Sequence, residues 1–403
     1  MPKTITAVFL LVAFLFQSCK KEQEKPLLAE ALEVKKPIHD SLLLSIPFPL
    51  NSSYPSEDYM LQKKIAISNF YTKTFEPVDF SGSFLVAKNG VILYEKYRGF
   101  ENFEKKIPVT STSSLHVASI SKVITATAIL KLVQDNQVQL DQTVQSILPD
   151  FPYEKTTIRT LLNHRSGLPH YSRFPETIKG WNSKKVLTNH DVLDYLKRYK
   201  LALVFKNDTK FNYCNTNYVM LALIIEKVTQ KSYAEALNTL IFEPLKMKNT
   251  FVFDYLNQKN DVSQSYKSTK VNYGWDQFDA LYGDKNIYTN PRDLATFDLA
   301  TYSSEFLRKD LWEEALKGYS YEKRGVRNYG LGIRMNEWET GQHLHYHNGW
   351  WHGSTSSYVT IKKDTVVIIG ISNKYTQKTY QSIKLSRLFG DYPYELDSQN
   401  VEQ

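Results

Sequence analysis

With only 2 cysteines in 403 residues, the chain cannot carry a disulfide framework, and a zinc site built from cysteines needs more. Its 16 glycines and 15 prolines are too few for a collagenous or low-complexity chain, and no repeat of solenoid type runs through it. Charge of one sign is nowhere concentrated. The net charge is +8; residues 1–55 hold six lysines against five acids, a net of +1, which leaves +7 spread over the other 348 residues. Without a dense Lys/Arg run or a nucleic-acid motif, this is a solvated basic surface, and no nucleic-acid partner is expected. The 42% of hydrophobic residues, against 23% charged, supplies a substantial core and excludes a disordered chain.

A bilayer-spanning apolar run is also missing from the N-terminus. The run at 5–16 has twelve residues, whereas a spanning helix needs about 20. Lys3 before it and Gln17-Ser18-Cys19 after it give the basic start, short apolar centre and small-residue end of an export signal. Because it ends on a cysteine, the segment resembles a bacterial lipoprotein signal, with Phe16 where such signals usually carry Leu. The expectation is cleavage after residue 18, acylation of Cys19, and an exported protein held at a membrane on the periplasmic or cell-surface side. Residues 19–55, ending in Pro37, Pro47, Pro49 and Pro55, read as a tether partly docked through Leu42, Leu43 and Leu44.

The body is expected at 56–395, with a short tail at 396–403. Helical spacing of Met60, Ile65, Ile67 and Tyr71 predicts an opening helix, and two β-rich runs, 84–87 and 91–97, flank Lys88-Asn89-Gly90, a hairpin signature. A helix is expected over 119–134, and much of 141–320 reads helical. Strands then return at 329–334, 343–347, 356–361 and 366–372, before a closing helix at 380–389. Strands at both ends with helices between them predict an α+β fold: one antiparallel sheet built from both chain ends, flanked by terminal helices, with a mainly helical subdomain inserted.

Ser119-Ile120-Ser121-Lys122 sits where the chain enters a helix. Residues i and i+3 share a helix face, so the hydroxyl and the amine come within hydrogen-bonding reach. Serine is a poor nucleophile without a neighbouring base, and a lysine serves where burial favours its neutral amine; the helix end also offers N–H groups to an oxyanion. An isolated Ser-x-x-Lys is weak evidence, since Ser119 could simply cap the helix. It has company. Tyr213-Cys214-Asn215 precedes an apolar helix at 218–228, and His347-Asn348-Gly349 ends a late strand before Trp350-Trp351-His352-Gly353.

In order and setting these three motifs resemble those of the serine hydrolases related to class C β-lactamases and penicillin-binding D,D-peptidases. The stretch Thr157 to Pro169, with Leu161-Leu162-Asn163-His164-Arg165-Ser166-Gly167-Leu168 at its centre, is similar to the family's marker after the nucleophile helix. Tyr329-Gly330-Leu331-Gly332 is similar to the strand before its third motif. The likeness covers about residues 80–373. It implies an acyl-enzyme on Ser119 with Lys122 as its proton partner. Tyr213 is implied as second acid/base, its phenolate favoured by the neighbouring ammonium, and His347 as the third-motif member of the catalytic set. Asn215 would hydrogen-bond a substrate amide or orient Lys122, Gly349 would leave room for the acyl chain, and the N–H of Trp350 would complete an oxyanion hole with that of Ser119. Lys-Thr-Gly of the β-lactamases is His347-Asn348-Gly349 here, so a permanent cation becomes an imidazole. That change favours a D-amino-acid peptide or a carboxylic ester over efficient β-lactam hydrolysis, and leaves a weak penicillin- or cell-wall-peptide-binding receptor as the alternative.

No cofactor is implied. His343, His345 and His347 alternate and would share a strand face, which invites a metal, but neither a fourth ligand nor a second shell accompanies them. His164 has an ordinary reading at a helix end, and Cys214 one as a small buried filler. Loops 171–184 and 255–284, with Trp181, Trp275, Trp350 and Trp351, are expected to border the cleft.

Overall fold

Successive side chains of an extended chain point to opposite faces, so a strand apolar at every position must be covered on both sides. Residues 84–87, within the strand Gly82–Lys88, are such a stretch. Phe84 and Val86 enter one apolar cluster, and Leu85 and Ala87 enter another. The molecule is described by a computed structural model over residues 39–48 and 53–396; the leader, Cys19, most of the tether and nearly all of the tail lie outside the described residues.

Seven antiparallel strands form the main sheet: β1 (Gly82–Lys88), β2 (Val91–Arg98), β3 (Arg327–Tyr329), β4 (Arg334–Glu337), β5 (His343–Trp351), β6 (Ser354–Ile361) and β7 (Val366–Ser372). Their order is β2-β1-β7-β6-β5-β4-β3, so the N-terminal hairpin joins the C-terminal strands edge to edge, as expected from the sequence. Asn89 (φ 50°) and Gly90 (φ 78°) both take positive φ in the β1–β2 turn, which is why Asn-Gly works there. Helix α1 (Glu57–Phe75), capped by the Ser56 hydroxyl, covers one face with Ile67, Phe70, Tyr71 and Phe75. The opposite face packs Leu85, Val367, Ile369 and Ile371 against the helical region, which includes α2 (Ser121–Gln134) and α3 (Asn215–Thr229). Leu43 makes an antiparallel bridge to Val91, and Leu44 N donates to Gly90 O at 2.7 Å, so this end of the tether is docked.

Two expectations need correction. Residues 329–334 are not one strand: Tyr329 pairs with Arg334 across a turn in which Gly330 N donates to Ile333 O and Gly332 takes φ 86°. A Cβ on Gly332 would lie 2.3 Å from the Cβ of Ala126, so the turn is glycine-rich because it abuts α2. The closing segment Gln377–Leu388 is a run of 3₁₀ turns rather than an α-helix. Residues three apart eclipse in that geometry, and Thr379, Ser382 and Leu385 form a fully buried row whose small members fit against Gly370 of β7. The inserted region, mainly helical as expected, also contributes short strands. Ile287–Thr289 pairs with Leu115–His116 on one side and with Phe251–Val252 on the other in a separate three-stranded sheet, which ties the insertion to the chain entering α2.

Phe84 sits at the centre of the α1 face, its ring 5.6 Å from that of Tyr71 and 5.3 Å from that of Phe75. Phe84→Ala is expected to lower unfolding free energy by about 3–5 kcal/mol, read by urea denaturation. A loss below about 1 kcal/mol would show that this cluster does not carry the layer.

Candidate active site

The chain reaches α2 through a strained turn. Ala118 takes φ 47° and Ser119 lies in the 3₁₀ turn Ala118–Ile120, two residues before the α-helix begins at Ser121 rather than within it. Lys122, in the first turn of α2, is fully buried. Its Nζ donates to Ser119 Oγ at 3.0 Å and to the backbone carbonyl of Asp284 at 2.8 Å, and lies 5.0 Å from the centre of the Tyr213 ring. The first two motifs therefore meet around one amine.

The segment carrying Asp284 is held against α2 by several bonds. Thr125 Oγ1 donates to Gly283 O (2.7 Å), Val117 N donates to Ile287 O (3.1 Å) and Ile287 N donates to Ser121 Oγ (3.1 Å). Asp284 and Lys285 are a buried pair with Nζ to Oδ2 at 3.5 Å. Tyr171 OH donates to Asp284 Oδ2 (2.7 Å) and accepts from Lys285 Nζ (3.0 Å) and Asn215 Nδ2 (3.4 Å). Burial pushes the Lys285 amine down against the pull of Asp284, and burial followed by the Asp284 charge pushes the Tyr171 phenol up. Asn215, the first residue of α3, thus spends its NH₂ on Tyr171, while its buried Oδ1 has no hydrogen-bond partner.

On the opposite wall, β5 passes close to the nucleophile turn. A Cβ on Gly349 would lie 2.3 Å from Val117 O, 2.3 Å from Ser356 Oγ and 3.1 Å from the Ala118 Cβ. The expectation that Gly349 makes room for an acyl chain is corrected accordingly: the space it leaves is taken by the protein's own nucleophile turn. The next residue, Trp350, has a 57% exposed side chain. Trp351 Nε1 donates to Asp279 Oδ1 (2.6 Å), and its ring lies 4.5 Å from Lys285 Nζ.

His347 is placed differently from a free acid or base. It is fully buried, its Nδ1–H donates to Asn348 O (2.8 Å) and its Nε2 accepts from Tyr329 OH (3.1 Å), the pattern of a neutral imidazole. Burial, then the charges of Arg334 and Lys122, hold its pKa well below the ordinary histidine range. Its ring lies 6.2 Å from that of Tyr213, so it supports the site from behind the phenol. The alternating histidines do not converge: His345 Nε2 donates to Leu316 O (2.9 Å), and exposed His343 lies 3.8 Å from Glu337. Among the described residues, the group with metal-ligand character is instead Asp276, Asp279 and His352. Its acceptors are already taken by the Trp351 and His352 ring N–H groups and by the backbone N–H of Asp276. Cys214 is a buried filler; its Sγ donates to Leu168 O (3.3 Å), and burial pushes the thiol up to about 11. Trp181 and Trp275 pack in aromatic clusters with Phe174 and Tyr195, and with Phe253 and Tyr255.

Sequence reasoning missed Tyr171, Asp284, Lys285 and Arg334. The Arg334 guanidinium lies 4.8 Å from the centre of the Tyr213 ring and 6.0 Å from that of Tyr329. Asp284-Lys285 stood out only as an adjacent charge pair between Leu281-Tyr282-Gly283 and Ile287-Tyr288. Tyr171 and Arg334 carried no local signal.

Residues 76–385 match the protein family described as Beta-lactamase. Penicillin-binding protein 4* of Bacillus subtilis (strain 168) is 30% identical over 362 residues, spanning 85% of this chain and 79% of that protein. Among solved structures, the penicillin binding protein from Bacillus halodurans has a TM-score of 0.70 at 20% identity, covering 80% of this chain and 99% of that one. D-amino acid amidase from Ochrobactrum anthropi SV3, complexed with L-phenylalanine amide, has a TM-score of 0.63 at 23% identity, with the same coverage. The two structures share the fold.

Burial of neutral imidazoles makes stability depend on pH. His116 and His345 titrate near 4 in the folded chain because burial disfavours their charged forms, against 6.5 as the ordinary value. Between those values the unfolded chain holds more protons, so stability is full above about pH 6.5 and falls as pH drops toward 4. Each histidine is expected to cost on the order of 2 kcal/mol at pH 5 relative to pH 7.5. Urea denaturation at the two pH values checks this, and His345→Gln should flatten the dependence. An unfolding free energy unchanged between the two would contradict the assignment.

Proposed function

The chain belongs to the Beta-lactamase family, as a serine hydrolase related to class C β-lactamases and penicillin-binding proteins, and from that premise we propose that Ser119 is its acylated nucleophile. The observation that carries this reading is the 3.0 Å contact from buried Lys122 Nζ to Ser119 Oγ. In the proposed reaction the amine takes the hydroxyl proton as Oγ attacks an amide or ester carbonyl. The N–H groups of Ser119 and Trp350 bind the oxyanion, which the contact of Gly349 with the nucleophile turn supports by bringing β5 within one residue of Ser119. Tyr213 passes a proton to the leaving group, and water then releases the acyl chain as a carboxylic acid and restores Ser119.

His347 supplies no cation, but Arg334 does. It is partly buried beside Tyr213, and among the described residues it pairs with no acidic side chain. A guanidinium so placed suits a substrate with a free carboxylate beyond the scissile bond, which favours a peptide ending in a D-amino acid over a neutral ester. A D-amino acid amidase with the same fold supports the stereochemical half of that reading. The sequence of the leader further supports an exported protein anchored through acylated Cys19, and among the described residues no helix is long and apolar enough to cross a membrane.

The test compares an acylated peptide ending in D-alanyl-D-alanine with its C-terminal amide. Wild type is expected to turn over the acid, Ser119→Ala neither, and Arg334→Gln to lose roughly 10- to 100-fold in kcat/KM on the acid while nearly keeping its rate on the amide. Equal losses on both would remove Arg334 as carboxylate reader. A single burst without turnover would mark a receptor instead, and full activity in Ser119→Ala would refute the nucleophile.

A further inference from the structure

His164 is the group that the mechanism leaves unused and the geometry does not. It follows the helix Ile158–Leu162 and takes φ 58°, a left-handed conformation uncommon for residues other than glycine. Helix ends tolerate such a residue, but they do not require a fully buried imidazole. The ring lies in a cage of aromatic groups, its centre 4.3 Å from that of Tyr213, 4.8 Å from Tyr329, 5.2 Å from Tyr218 and 6.1 Å from Phe211.

Its hydrogen bonds are directed at the second motif. Asn212 N donates to His164 O at 2.9 Å, and Cys214 N donates to His164 Nδ1 at 3.1 Å. The backbone on both sides of Tyr213 is therefore tied to one residue. Asn217 Nδ2 gives Nδ1 a second donor at 3.2 Å, so the ring proton is on Nε2, which is buried without a hydrogen-bond partner. The rest of the segment repeats the pattern. Ser166 Oγ donates to Asn217 Oδ1 (2.7 Å), Tyr218 OH donates to Leu162 O (2.8 Å) and Thr216 Oγ1 donates to Pro169 O (2.8 Å). Residues 161–169 form a mould into which 212–218 is cast.

We propose that His164 is a positioning residue for Tyr213: its Nδ1 and carbonyl fix the flanking backbone while its ring sets the plane of the phenol against Lys122. The proposal rests on the acyl-enzyme reading in which Tyr213 moves a proton. An acceptor is needed on Nδ1, so only the neutral ring serves. Burial first, then the charges of Lys122 and Arg334, keep it neutral, and a protonated ring would place a third cation beside the phenol. The backbone conformation is part of the device, because a left-handed residue turns the chain so that its carbonyl and its side chain both face 212–214.

The experiment is a double-mutant cycle with Tyr213→Phe, read as kcat and KM on the same peptide. His164→Gly keeps the backbone conformation but removes acceptor and ring; it is expected to lower kcat about 100-fold with KM little changed. In the Tyr213→Phe background the same substitution should cost less than about 3-fold, because the group it positions is already gone. His164→Asn tolerates the left-handed backbone and keeps an acceptor at the Nδ1 position, so its loss should be near 10-fold, which also serves if the glycine variant does not fold. Equal losses with and without the Tyr213 hydroxyl would make His164 merely structural and overturn the proposal, as would wild-type kcat in either variant. Ser119→Ala run alongside separates the two claims: activity surviving there defeats the acyl-enzyme reading, whereas an inactive Ser119→Ala with an unaffected His164→Gly defeats only this inference.

Discussion

A lysine amine with no access to water must find its acceptors in the protein, and Lys122 finds two: the Ser119 hydroxyl and the carbonyl of Asp284. The second acceptor comes from the inserted region, so the reactive pair exists only when residues 283–289 lie along α2. Much of the surrounding structure serves that placement. The short sheet made with Leu115–His116 carries Ile287–Thr289, and Thr125 and Ser121 bond the same segment. Gly283, φ 94°, passes so close to α3 that a Cβ would lie 2.3 Å from Tyr218 O. The inserted segment is thus a wall around Lys122, tied to α2 by that lysine, Thr125 and Ser121 and to Leu115–His116 by strand pairing.

Charge around the centre is divided unevenly. Arg334 and Lys122 pack on the Tyr213 ring, while His164 and His347, which also border it, are held neutral, first of all by burial. Charging both imidazoles as well would make the cavity too costly to bury. The replacement of a lysine by His347 is therefore more than a loss of charge. It permits a buried imidazole bonded to Tyr329, while the neighbouring strand places Arg334 beside Tyr213.

The sheet built from both chain ends and the Ser119–Lys122 pair were legible because each depends on local spacing: β-rich runs in β1 and β7, Asn-Gly between β1 and β2, and an i, i+3 pair at the entry to α2. Tyr213, Asn215 and Gly349 were found through resemblance, and Gly349 received the wrong reason, since which neighbour fills the space beside a glycine is a tertiary fact. His347 was assigned a chemical role because a sequence does not display burial or which nitrogen is already bonded. The Tyr171–Asp284–Lys285 network draws on segments more than a hundred residues apart and has no spacing to detect. The 3₁₀ ending was mistaken for an α-helix because Thr379 and Ser382, small residues three apart, were not recognised as the row that fits against Gly370.

The pairing of Lys122 with Ser119 is best tested by the rate at which a fluorophosphonate adds to the protein, followed by intact-mass spectrometry in wild type and Lys122→Met, a neutral side chain of similar length suited to burial. The expectation is a single adduct on Ser119 in wild type and a rate at least about 1000-fold lower in the variant. An adduct forming on Lys122→Met at the wild-type rate would contradict the account.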